Sequence, residues 1–164
     1  MKNEKVKSFI EIINQNIGIT HKVARIYFSE SEDREDVIQE MMYQLWKSFP
    51  SFTGQSKFST WMYSVCLNTA ITFRKKYVHH KIQPLNVEHN QFSLPDYENN
   101  EEAMSQLFNA IANLSVLNKA IILLYLEGMS YDEIAEVIGL TKSNVSIRLV
   151  RIKKDLEIQL KNKI

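Results

Sequence analysis

Hydrophobic residues recur at intervals of three and four along most of this chain, interrupted by polar stretches and punctuated by few Gly and Pro residues. The first run, Val6, Phe9, Ile10, Ile13, Ile17, Val23, Ile26 and Tyr27, keeps a helical period, with Gly18 as a candidate interruption. A polar break, SESEDRED, follows from Ser29, and its acids suit a helix start, where the macrodipole favours negative charge. Residues 33–48 then space Val37, Met41, Leu45 and Phe49 by four, with Ile38, Met42 and Trp46 alongside. Trp46 reads as core. Pro50 ends this helix, and SFTGQS reads as loop. Phe58, Trp61, Met62, Val65, Cys66, Ala70, Ile71 and Phe73 predict a third strong helix, running into Arg74, Lys75 and Lys76. Three such amphipathic helices with large aromatics can close a small bundle.

From Tyr77 to Asn100 no period is sustained, Pro84 and Pro95 intervene, and residues 88–102 hold five acids against no Lys or Arg. That stretch reads as an interdomain linker. Helical spacing resumes with Met104, Leu107, Phe108, Ile111 and Leu114, and residues 117–127 form a further helix stopped by Gly128. Ser130 and Glu133 make a capping-box pair ahead of Ile134, Ala135, Val137 and Ile138, and Gly139 can take the left-handed exit. Thr141 can cap the next helix, whose stripe is Val145, Leu149, Ile152 and Leu156. Its other side carries Lys142, Ser143, Asn144, Ser146, Arg148, Arg151 and Lys154. Two helices, a short Gly-containing turn and a basic second helix describe a helix-turn-helix, although a helical hairpin with a solvated basic face has the same pattern.

Composition narrows the class. Across 164 residues, 45% are hydrophobic and only four are Gly and three Pro, which suits an all-α chain of two small helical domains. The expected division is a domain over 1–77, a flexible linker over 78–100 and a second domain over 101–164. With a net charge of +1, partners must be sought in local charge rather than the total. The single Cys66 excludes an internal disulfide and reads as buried and inert. No apolar run approaches the roughly 20 residues of a membrane span, and MKNEKVKS is no signal peptide, so no membrane insertion and a cytoplasmic location are expected.

Two blocks then carry a family resemblance. EDVIQEMMYQLWKSFPSFTGQSKFSTWMYSVCLNTAITFRKK resembles region 2 of bacterial sigma factors, and LSVLNKAIILLYLEGMSYDEIAEVIGLTKSNVSIRLVRIKKDL resembles region 4. Occurring in that order with a short linker and no other sigma region, they resemble the extracytoplasmic-function (ECF) group. The resemblance implies a non-catalytic subunit that binds core RNA polymerase and directs promoter-specific initiation. Region 2 would open the −10 element and region 4 would read the −35 element.

Residue roles follow by the same resemblance. Asp36, Gln39 and Glu40, spaced D-x-x-Q-E, share a helix face and would meet the polymerase clamp; without the resemblance they form a solvated acidic face. Lys57, Phe58, Ser59, Thr60, Trp61, Tyr63, Asn68, Arg74 and Lys75 would handle −10 DNA, because aromatic faces stack displaced bases, amides read base edges and cations hold phosphate. Phe58 and Trp61 stand three apart, so each can equally be core. Lys142, Ser143, Asn144, Ser146, Ile147, Arg148, Arg151 and Lys154 would face the −35 element. The family often carries a basic residue at the position of Ser146 and a small polar one at that of Ile147, so a relative's −35 sequence does not transfer. An anti-sigma factor is a further partner that the resemblance allows.

Other functions fit less of the chain. His21 is isolated, His79 and His80 are adjacent and diverge on a helix, and His89 has no ligand-spaced companion. Neither a metal site, a catalytic constellation nor a cofactor motif is expected, and an enzyme is not the reading. A stand-alone dimeric helix-turn-helix regulator explains residues 130–154 but not the first block. A protein-interaction module without DNA binding explains the acidic helix but not the basic one.

Overall fold

The computed structural model describes residues 2–80 and 100–162, and among these every regular element is helical. The chain divides into two compact units, Met1–Ile82 and Gln83–Ile164.

Unit 1 opens with α1 (Lys2–Asn16) and α2 (Gly18–Tyr27). The joint between them is slight. Ile17 stays in the right-handed helical region, and Thr20 Oγ1 donates to its carbonyl at 2.7 Å. α1 buries only Phe9 and Ile13, whereas α2 buries Ile19, Thr20, Val23, Ala24, Ile26 and Tyr27. α3 (Ser31–Ser48) has Glu32 and Asp33 in its first turn, where carboxylates complement the unpaired N–H groups. The break before α3 is tied down by Arg34 Nε, which donates to the Phe28 carbonyl at 2.8 Å. Pro50 lies inside a 3-10 turn, Phe49–Ser51, that closes α3. α4 (Phe58–His80) then packs against both α2 and α3. Its centre is accordingly buried on several sides at Met62, Tyr63, Cys66, Leu67, Thr69 and Ala70.

Unit 2 contains α5 (Asn100–Ala112), α6 (Val116–Leu126), α7 (Tyr131–Ile138) and α8 (Lys142–Lys161). α6 is its central element: Lys119 through Leu124 are all buried. α8 packs against α5, α6 and α7, and it buries one stripe, Val145, Leu149, Ile152 and Leu156. The expected linker over 78–100 lies outside the described residues except at its edges. There, the backbone of α4 continues to His80 and α5 begins at Asn100, so residues 77–80, read as irregular, are helical.

Candidate nucleic-acid and protein interfaces

In unit 2, local chemistry sets the angle at which α8 leaves α7. The Glu133 N–H donates to Ser130 Oγ at 3.1 Å, and the Ser130 N–H donates to Glu133 Oε2 at 2.8 Å. Gly139 exits α7 at φ 77°, a left-handed conformation that a side chain would strain. Its N–H and that of Leu140 both reach the Ala135 carbonyl, at 2.9 and 3.0 Å. Thr141 Oγ1 then accepts from the Asn144 N–H at 3.2 Å. A turn of three residues, Gly139 to Thr141, therefore joins two capped helices.

With its buried stripe held inside, α8 turns Ser143, Asn144, Ile147, Val150, Arg151 and Lys154 to solvent. The remaining expected contacts are engaged within the unit. Arg148 is half-buried, and its Nη1 donates to Asn118 Oδ1 on α6 at 3.2 Å. Ser146 is half-buried. Lys142 Nζ pairs with Asp132 Oδ2 at 3.2 Å, both ends exposed, an interaction worth ~0–1 kcal/mol and easily exchanged. Lys153 donates to the Tyr125 hydroxyl at 2.9 Å and sits 4.1 Å from that ring's centroid. That hydrogen bond is the main cause that raises the Lys153 pKa above its ordinary value. Val150, absent from the sequence-based expectation, is 68% exposed. A β-branched residue three positions after Ile147 and next to Arg151, off the buried stripe, was the available signal.

On α3 the three polar residues behave differently from one another. Asp36 and Gln39 are exposed, but Glu40 is half-buried and its Oε1 accepts from Gln44 Nε2 at 2.9 Å. The exposed face continues at helical spacing into Tyr43 and Trp46, 56% and 45% exposed. Trp46, read as core, is thus only part core: one side meets Phe9 edge-on, centroids 5.1 Å apart, and the rest faces solvent. Tyr43 went unrecognised because its neighbours at spacing four, Gln39 and Lys47, are polar, which sets it off the apolar stripe of α3.

The expected −10 set separates into rings, core and rim. Phe52, Phe58 and Trp61 form a triangle with centroid separations of 5.4, 5.3 and 5.3 Å, and Trp61 also lies 6.4 Å from Phe49. Phe58 and Trp61 are half-buried, so the cluster fixes the approach to α4 and leaves ring edges open. Gly54, at φ 77°, gives that approach its left-handed turn. Thr60 and Tyr63, at 9% and 1% exposure, are buried in the packing of α4 against its neighbours. Lys57, Asn68 and Lys75 are exposed, while Ser59 and Arg74 are half-buried. Asn68 lies on a groove of about 400 Å³ between α3 and α4 that is also lined by Glu40, Gln44, Thr69, Thr72, Phe73 and Lys76. This groove places Glu40 of the acidic helix beside an expected DNA residue.

Among the described residues no three His, Cys, Asp or Glu side chains gather as a metal site, and no helix is long and apolar enough to cross a membrane. Burial pushes the Cys66 thiol up to about 12, which leaves it protonated at neutral pH.

Known families account for both units. The model for sigma-70 region 2 matches residues 12–78, and that for sigma-70 region 4 matches residues 104–156. An ECF RNA polymerase sigma-E factor from Haemophilus influenzae is 33% identical over 144 residues, covering 76% of this chain and 73% of the relative. The ECF RNA polymerase sigma-E factor of Escherichia coli is 28% identical over 152 residues, covering 84% and 80%. Two solved structures share the fold. The sigma factor RpoE, in complex with the anti-sigma factor NepR from Bartonella quintana, has a TM-score of 0.69 at 21% identity, covering 94% of this chain and 98% of that one. CnrH, in complex with the cytosolic domain of CnrY, has a TM-score of 0.68 at 18% identity, covering 96% and 90%. With regions 2 and 4 both matched, in order, and this identity over most of its length, the chain belongs to the ECF sigma factors of RNA polymerase, which act in transcription initiation.

Proposed function

We propose that this protein docks on core RNA polymerase through the exposed face of α3, opens the −10 element with the start of α4, and reads the −35 element with α8. The observation that carries the reading is the outward side of α8. From Lys142 to Lys154 that helix contains no Asp or Glu, and it presents Ser143, Asn144, Arg151 and Lys154 while four buried apolar residues anchor it. Cations draw in the phosphates of a duplex, and short polar groups near a helix start reach base edges. On α3, Asp36 and Gln39 supply hydrogen-bonding groups for a basic partner surface, and Tyr43 with Trp46 adds amphipathic area of the kind that anchors interfaces. At α4, Lys57 precedes the Phe58–Trp61 cluster, and Asn68, Arg74 and Lys75 follow it along the same helix, so that an unpaired strand can stack on the rings and be held farther along by amide and cation.

The work is done by binding, not by bond chemistry, so the protein is a subunit and not an enzyme. Its place is the cytoplasm, where polymerase and promoter are. Domains 1–77 and 101–164 divide the two promoter elements between them. The RpoE structure holds the anti-sigma factor NepR and the CnrH structure the cytosolic domain of CnrY, and an anti-sigma factor would restrain this chain by covering α3 or α8.

The test is capture of core polymerase by the full chain, followed by run-off transcription from promoters enriched by the resulting holoenzyme. Promoter-specific transcripts that need the chain are expected. Duplex binding by a dimer of the chain, without polymerase capture or transcripts, would turn the reading into that of a stand-alone regulator.

A further inference from the structure

The outward face of α8 contains an apolar pair that the helix does not need for its own packing. Ile147 and Val150 are 53% and 68% exposed, three residues apart, on the side opposite Val145, Leu149 and Ile152. Large apolar residues scattered singly on a surface are ordinary, but two on one face of a helix that enters a groove call for a chemical account. Both are β-branched, so they hold few rotamers and lose little entropy when they meet a rigid surface.

Their surroundings decide what kind of surface that is. Ser143, Asn144, Arg151 and Lys154 share the face, and the segment Lys142–Lys154 has five Lys or Arg and no acid. Before the segment the acids are Asp132, Glu133 and Glu136, of which Asp132 is paired with Lys142 and Glu133 is held in the capping box; after it come Asp155 and Glu157, the latter paired with Lys161. An apolar pair with a cationic rim fits a duplex, whose phosphates flank the groove floor. On that floor one base pair alone offers an apolar group: the 5-methyl of thymine. We infer that Ile147 and Val150 form a reading patch for thymine 5-methyl groups, so that part of this protein's promoter preference is set by apolar contact. The inference rests on the proposed reading of duplex DNA by α8. It also gives Arg148, held by Asn118, a smaller share of base reading than a free arginine would have.

The experiment selects duplexes, randomised over the upstream promoter window, with holoenzyme assembled from the full chain and core polymerase. The enriched duplex is then remade with each thymine in turn replaced by deoxyuridine, which deletes the methyl and keeps every hydrogen-bonding group. At one or two thymines binding should fall about fourfold, the worth of burying one methyl-sized group. Ile147→Ala or Val150→Ala should weaken binding to the thymine duplex by about the same factor and show little further loss on the uracil duplex. Val150→Ser, which keeps the backbone and removes apolar contact, should behave like Val150→Ala. Enriched duplexes without thymine, uniform indifference to uracil, or undiminished thymine sensitivity in the Ile147→Ala/Val150→Ala double variant would each overturn the inference. So would loss of polymerase capture by these variants, since it would assign the pair to a protein contact. Should the unaltered chain fail to capture polymerase, the sigma reading fails instead, and the uracil series is then run with the free chain on duplexes that it enriches by itself.

Discussion

The two longest helices, α4 and α8, carry the two proposed DNA surfaces, and they differ in how much of their circumference the fold consumes. α4 packs against α2 and α3, and Met62, Tyr63, Cys66 and Leu67 are all buried in two successive pairs along its middle. α8 has three neighbours, yet its buried residues, Val145, Leu149, Ile152 and Leu156, form a single stripe. As a result, two of the nine residues expected at −10 DNA, Thr60 and Tyr63, are buried, whereas none of the eight expected on α8 is. A helix buried along one stripe keeps most of its side chains for recognition; one wedged between two others keeps an edge.

The sharpest way to break this contrast is to truncate one residue from each helix. Tyr63→Ala should destabilise the protein by about 3–5 kcal/mol in urea denaturation, as expected for an aromatic removed from a packed core. Val150→Ala should change stability by no more than about 0.5 kcal/mol, as for an exposed site. A Tyr63 variant with normal stability but impaired −10 opening would return that residue to the DNA surface.

Next in size is the docking face of α3. Tyr43→Ala, measured by competition for core polymerase, should cost about 2 kcal/mol or more if the ring is an anchor of the interface, with helicity unchanged. Replacing Glu40, already engaged with Gln44, should cost less than replacing the exposed Asp36 or Gln39. Equal losses at all three would show that docking releases the Gln44 bond.

Within α8 the two arginines separate by their partners. Arg151→Ala should weaken promoter binding on all sequences and flatten the salt dependence by about one unit of slope, the signature of a phosphate contact. Arg148→Ala removes the bond to Asn118 and should lower stability by about 0.5–1.5 kcal/mol. Asn118→Ala should free the guanidinium and increase the salt dependence if Arg148 then reaches phosphate. Identical behaviour of the two arginine variants would erase the distinction.

A last test concerns the thiol buried on α4. Burial raises Cys66 from an ordinary 9.0 to about 12, so its folded pKa exceeds the unfolded one. Its contribution to stability is therefore complete below pH 9 and declines as pH rises through 12. Native protein at pH 9 should resist iodoacetamide while urea-unfolded protein reacts, and denaturation midpoints should fall between pH 8 and pH 10.5. Rapid native alkylation would mean that α4 opens locally.

The boundaries of the helix-turn-helix were legible because they rest on local chemistry. The Ser130–Glu133 box, Thr141 as a cap and the left-handed Gly139 each act within four residues, and the buried stripe of α8 follows from spacing alone. The family resemblance rested on the same linear patterns in two blocks. Less legible was which side of a two-sided helix faces inward. Trp61, Met62 and Tyr63 are consecutive, so their periodicity admits more than one burial pattern, and the presence of α2 and α3 on either side decided that Met62 and Tyr63 go in.

By itself the sequence determined an all-α chain, its capped helix-turn-helix, its acidic and basic helices and the family to which it belongs, since each is written in residues near one another along the chain. Tertiary structure alone decided that Tyr63 is core, that Trp46 and Tyr43 emerge beside Gln39, that Asn118 holds Arg148, and that Val150 stands free beside Ile147. Those outcomes depend on which distant helix occupies each side, and a pattern of three and four says only that a side exists.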